Sequence, residues 1–134
     1  MAAGLFPALA APAIAQNQSK RLLSKAYKFE DLPVKVNGQN KSRAVFDGVN
    51  HSGFPIEVHV TELAADSSPH EPHRHVHEEM FFLQTGRLDW TVNGVTTRLT
   101  PGSVCYVNSN ELHGVHNPGP DKAQYCVTAF GAKS

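Results

Sequence analysis

The sequence predicts an all-β domain, an antiparallel sandwich or barrel behind a short N-terminal extension, on three observations. Apolar and polar residues alternate at period two in run after run from Arg43 onward, the period at which successive strand side chains face opposite ways. Gly, Pro and Asn separate these runs at short intervals, where tight turns belong. Nine prolines and ten glycines among 134 residues oppose long helices, and this length suits one domain with one core.

Residues 1–15, "MAAGLFPALAAPAIA", carry no charge and end in Ala13-Ile14-Ala15, a small-x-small pattern that suits signal-peptidase cleavage before Gln16. The stretch is too short and too broken by proline to span a bilayer, and it lacks a basic n-region. It is read as the remnant of a longer signal peptide, so an exported protein, periplasmic or secreted, with no stable membrane anchor in the mature chain is expected. A disordered apolar arm is the plainer alternative. Residues 16–42 read as a polar connector, basic at first, with room for a short helical turn. The barrel domain is expected over 43–134.

Within that domain, "FPIEVHVTEL" places Ile56, Val58 and Val60 on one face and Glu57, His59 and Thr61 on the other. "GRLDWTV" alternates Leu88, Trp90 and Val92 against Asp89 and Thr91. Asn93-Gly94 then offers residues that accept positive φ in a two-residue hairpin turn, and "VTTRL" is the returning strand. Pro101-Gly102 marks the next turn, followed by "SVCYV", "LHGVH" and a last strand around "AQYCVTAF". Cys105 and Cys126 lie in two of these runs without CxxC spacing. Buried free thiols are the ordinary reading, although an exported protein would permit a disulfide. Lys+Arg and Asp+Glu balance at 12 each, so composition gives a nucleic-acid surface no support.

The stretch "PHEPHRHVHEEMFFLQTG", residues 69–86, holds four of the chain's eight histidines. His73 and His75 are two apart, so on a strand they project from one face. A turn at Val76-His77-Glu78 would return Glu79 to the same point, and "ELHGVHN" offers His113 from across the sheet. Three imidazoles and a carboxylate suit a divalent first-row metal: Mn, Fe, Co, Ni, Cu or Zn. The competing reading is a histidine-rich surface loop. A zincin helix is excluded, because Phe81 stands where HExxH needs its second histidine.

Spacing decides between them. His73, His75, Glu79 and Gly86 fit HxH-x3-E-x6-G, and Gly102, His113 and Asn117 fit G-x5-P-x-G-x2-H-x3-N, with Asn108 in the proline's place and Asn110 in the glycine's. In these motifs the chain resembles the cupin superfamily, specifically small single-domain metal-binding cupins with a cupin-2 type barrel, over roughly residues 43–130. The resemblance implies a double-stranded β-helix, or jelly roll, with the metal inside the barrel near one mouth. It implies His73, His75, Glu79 and His113 as ligands, Gly86 and Gly102 as turn residues, Asn117 as a strand support, and a homodimer as the assembly.

The other polar residues are sorted by parity. His77 shares the ligands' parity and is read as a rim residue, with alternative ligand as the minor reading. Glu78 points opposite to Glu79, toward solvent or an arginine. His70 and Glu71 belong to the preceding loop, His116 has the wrong parity to coordinate, and His51 and His59 have no motif support. Phe81 and Leu83 share Glu79's face and are expected to line the interior. Three histidines and a glutamate leave open positions on a six-coordinate ion. An enzyme acting on a small organic molecule is therefore expected, by dioxygenase, isomerase or lyase chemistry. A non-catalytic metal- or ligand-binding module is the alternative. Spacing identifies no general base; His77 and Glu78 are the candidates.

Overall fold

The computed structural model describes residues 20–133; the stretch 1–15 read as a signal remnant lies outside them. The alternating runs form nine strands: β1 Val34–Asn37, β2 Asn40–Val49, β3 Pro55–Leu63, β4 Glu78–Thr85, β5 Leu88–Val92, β6 Val95–Leu99, β7 Val104–Val107, β8 His113–His116 and β9 Ala123–Phe130. A 3-10 turn at Phe29–Asp31 precedes them. Six strands pair in the order β1-β2-β3-β9-β4-β7 and three in the order β6-β5-β8. Every ladder is antiparallel, and the two sheets enclose the core, as in a jelly-roll barrel. No helix among the described residues is long and apolar enough to cross a membrane.

Register shows how the interior is graded. Thr61 lies opposite Tyr125 and Tyr125 opposite Leu83, while His59, Val127, Phe81 and Cys105 form the next row. Glu57, Ala129, Glu79 and Val107 form the row beyond that. Leu63, Leu83, Leu88, Leu99 and Ala123 fill one end of the barrel and are buried. Side chains turn polar toward the other end, so the fold is packed shut at one end and carries chemistry at the other.

Two details add to the sequence reading. The large sheet takes in residues of the segment 16–42, because Val34 and Val36 alternate ahead of Asn37-Gly38. Gly38 has φ +61, and the turn there closes a hairpin in which Asn37 faces Asn40. The outer face of β3 is also covered rather than solvated. Tyr27 packs on Phe46 with ring centroids 5.4 Å apart, and the Arg43 guanidinium lies 4.4 Å from the Phe29 ring centroid. Since Phe46 registers with Val58 and Arg43 with Val60, the N-terminal segment shields the apolar set of β3.

Both cysteines are free. Cys105 lies opposite Phe81 and Cys126 opposite Phe82, so they occupy opposite faces of the sheet. Burial pushes the Cys105 thiol up to about 12, which removes it as a nucleophile at neutral pH.

Candidate metal centre

His73 and His113 exchange backbone hydrogen bonds of 3.0 and 2.9 Å, N–H to C=O each way. This bridge stands outside the named strands, and it fixes both rings on one side. The sequence reading put His73 and His75 on one strand face ahead of a turn; in the structure His73 forms an isolated bridge, and the His75 carbonyl accepts from Asn110 N–H at 2.8 Å. The chain then bends at Val76-His77, and β4 starts at Glu78. That bend brings Glu79 back beside His75. Ring centroids of His73, His75 and His113 stand 4.7–4.9 Å apart pairwise.

The backbone also sets which nitrogens face inward. His75 Nδ1 lies 2.6 Å from the His77 carbonyl, and His113 Nδ1 lies 2.9 Å from the Glu111 carbonyl. A carbonyl only accepts, so each Nδ1–H donates outward and each Nε2 is turned inward. Carbonyls play this part behind metal-binding histidines generally. Both Nε2 atoms converge on Glu79 Oε1, at 2.7 and 3.1 Å.

Electrostatics prepare the same set. Burial would raise the Glu79 carboxyl, but the hydrogen bond from His113 and the charge and hydrogen bond of His75 outweigh it and hold the pKa at about 2. Burial, then the His70, His113 and His75 imidazoles, lower His73 to about 4, so its ring is neutral at physiological pH. For His113, burial acts downward, but the bonds to Glu79 and the Glu111 backbone raise it.

One ligand atom from each of His73, His75, Glu79 and His113 lies within 4.8 Å of the others. Ligands to a first-row ion stand about 2.0–2.2 Å from it, so a set this tight could share one ion. Three imidazoles and a carboxylate fit a borderline divalent ion. Glu79 and His113 are buried and His73 is exposed, so the set is sealed from behind and open in front. In front lies a cavity of about 680 Å³. Phe81, Val115, Val127 and Ala129 form apolar wall, while Lys41, Arg74 and Lys133 also line it.

The remaining sequence candidates divide. His77 lines the cavity and stacks flat on His75, with centroids 3.7 Å apart and planes 2° from parallel. Burial, then the His75 charge, lower its pKa, and its buried Nδ1 has no hydrogen-bond partner among the described residues. It backs His75 from the rim rather than joining the ligand set. Glu78 is not brought to the site; its side chain hydrogen-bonds Tyr106 on the opposite face. His70 stacks on His73 at 4.1 Å, and exposed His116 bonds Ser68. Asn117 is fully buried; its Nδ2 donates to the carbonyls of Leu63, Ala64 and Asp121 while Oδ1 accepts from Gly119 N–H. Among the cavity residues that had no sequence support as site residues are Glu57 and His59. Their only signal is an E-x-H pair on the polar face of β3, which has no spacing rule behind it.

The Cupin domain family model matches residues 59–129, more than half of the chain. No curated protein matches the sequence, whereas solved structures do. An RmlC-like cupin from Shewanella frigidimarina is 22% identical with a TM-score of 0.66, over 81% of this chain and 93% of that one. KdgF from Halomonas sp. is 14% identical with a TM-score of 0.69, over 81% and 95% of the two chains. The polyketide cyclase RemF from Streptomyces resistomycificus is 16% identical with a TM-score of 0.67, over 83% and 82%. At these identities the likeness establishes the fold.

Proposed function

The chain belongs to the cupin domain family, and from that premise we propose a metal-dependent enzyme acting on a small organic molecule. His73, His75, Glu79 and His113 hold one divalent transition metal, and the substrate enters through the cavity. The observation that carries this reading is the convergence of two carbonyl-anchored Nε2 atoms, a third imidazole and a buried carboxylate at the wall of a 680 Å³ space. A purely structural ion would need no such volume in front of it.

Four protein ligands leave one or two positions of a six-coordinate ion, where it would supply Lewis acidity or, for a redox metal, oxygen chemistry. The protein's own contribution is placement. Phe81, Val127 and Ala129 exclude water from one side of a bound molecule, and Lys41 and Arg74 favour an anionic one. The polyketide cyclase among the structural neighbours is consistent with enzymatic use of this barrel, although fold alone does not choose a reaction.

We further propose that the chain pairs with a second copy through the outer face of β4 and β7. Phe82 lies opposite Val104 and Met80 opposite Tyr106, and Phe82, Val104 and Tyr106 are exposed. Adjacent apolar side chains on one sheet face mark an association surface.

Elemental analysis of the purified protein tests the first proposal and should return one transition-metal ion per chain. Turnover is then sought with 2-oxo acids, diketones, catechols and thiols. Stoichiometric metal with no turnover of any of them would favour the non-catalytic binding module.

A further inference from the structure

The cavity carries a second polar group, on β3. Glu57 lies opposite Ala129, and Ala129 lies opposite Glu79. The two glutamates therefore stand two strands apart on the same inner wall, about 10 Å at the backbone, with only a methyl group between them. His59 sits in the next row with Val127 and Phe81. Both oxygens of Glu57 approach His59 Nδ1, at 2.8 and 3.1 Å.

A carboxylate so placed accepts Nδ1–H and leaves Nε2 as the unprotonated nitrogen. The contacts of the ring to Glu57 are both made through Nδ1, on the side away from Nε2. The side chains of His59 and Glu57 are 31% and 18% exposed, and both line the cavity, so Nε2 is shielded yet reachable. A half-buried histidine satisfied by a neighbouring glutamate is common and by itself means little. Here the strand is turned with its polar residues inward and its apolar residues under the N-terminal segment, an inversion that costs desolvation of both groups.

We propose that Glu57 and His59 form the base of this enzyme, with His59 Nε2 taking the proton and Glu57 positioning the ring. The proposal rests on the metal-enzyme reading and names its substrate class: a small, anionic carbon acid, such as a 2-oxo acid, with an acidic C–H beside its carbonyl. Its oxygen atoms lie toward His73, His75, Glu79 and His113, and the C–H lies toward β3. In the step, the C–H bond breaks and the proton bonds to Nε2. The electron pair forms a carbon–carbon double bond as the carbonyl π pair moves onto oxygen, giving the enolate. Glu57 offsets the charge of the imidazolium. Return of the proton from Nε2 to a carbon of the enolate regenerates the substrate or yields an isomer, with no oxidant or reductant consumed.

The test uses the full chain loaded with Zn²⁺ or Mn²⁺ in D₂O, with 2-oxobutyrate as the probe and loss of its C3 protons followed by NMR. Wild-type protein should accelerate exchange over buffer and free ion. His59→Asn should lower it by about 100-fold or more, and Glu57→Gln by about 10- to 100-fold, each at full metal content. A second readout does not depend on turnover or on the variants folding well. Imidazole ¹⁵N–¹H spectra of the wild-type protein should show His59 as the Nδ1–H tautomer with a free Nε2. Undiminished exchange in metal-loaded His59→Asn, an Nε2–H tautomer, or no exchange by metal-loaded wild type would each overturn the base assignment and leave the metal site standing. Absence of bound metal in the wild type would instead overturn the reading beneath it, and the metal content measured on each sample tells the two failures apart.

Discussion

At the scale of single residues, the proposed ligand set should behave as one unit because each member faces the same few ångströms. His75→Ala and His113→Ala are each expected to abolish stoichiometric metal, measured by elemental analysis after gel filtration. Full occupancy in either variant would contradict the assignment. Protons compete for the same nitrogens, and the direction of the competition follows from the shifts. Glu79, held at about 2, stays a carboxylate throughout the working range. His113 is raised above 6.5, so without metal its contribution to stability is full below 6.5 and is lost as pH rises through the folded value. Metal requires the deprotonated ring, so metal affinity should rise over that same window. Titrations at about pH 5.5 and about pH 8 are expected to show weaker binding at the lower pH. The cluster of His73, His75, Glu79 and His113 was legible because coordination would force a spacing on the chain. Glu57 and His59 were not, because an imidazole and its orienting carboxylate need only share a strand face, and E-x-H occurs in many strands.

At the scale of elements, turns and clasps fix the register that delivers those residues. Gly86 has φ +81, and a Cβ there would lie 2.4 Å from the Lys122 carbonyl oxygen and 2.7 Å from Ala123 Cα. Gly86→Ala therefore combines a left-handed backbone with a backbone clash, and should cost about 3 kcal/mol or more in urea unfolding. Asn117→Ala should cost a similar amount, about 3 kcal/mol, because it strips a buried side chain from three carbonyls and one N–H. The strands from β3 onward were readable from period-two alternation and from turn residues such as Asn93-Gly94, where both φ values are positive, +49 and +82. Asn110, standing where the family motif has glycine, takes φ +62, which asparagine tolerates. Two local features were not readable. The hairpin at Asn37-Gly38 was hidden by the short, polar strands it joins. The ligand loop looks like strand in sequence because H-x-H has period two, but its geometry comes from one bridge to His113 and a bend.

At the scale of the molecule, the barrel is packed shut by leucines at one end and left polar at the other, and the proposed metal would be the tie across that open end. An ion bound only by the folded chain stabilises it by about 2.7 kcal/mol at a concentration 100-fold above its Kd. Chelation is therefore expected to lower Tm by on the order of 10 °C, read by differential scanning fluorimetry; an unchanged Tm would contradict tight binding. The proposed assembly predicts a mass twice 14.6 kDa for the full chain by light scattering, and Phe82→Glu together with Val104→Glu should yield the monomer. The jelly roll was legible in outline, but which face of β3 is interior was not, since alternation defines two faces without saying which one the N-terminal segment covers. The central claim is that His73, His75, Glu79 and His113 share one ion. Anomalous diffraction at the absorption edge of the metal found by elemental analysis tests it most directly. The account predicts one peak per chain about 2.0–2.2 Å from three imidazole nitrogens and a Glu79 oxygen; a peak elsewhere, or none in a crystal grown with that metal, would contradict it.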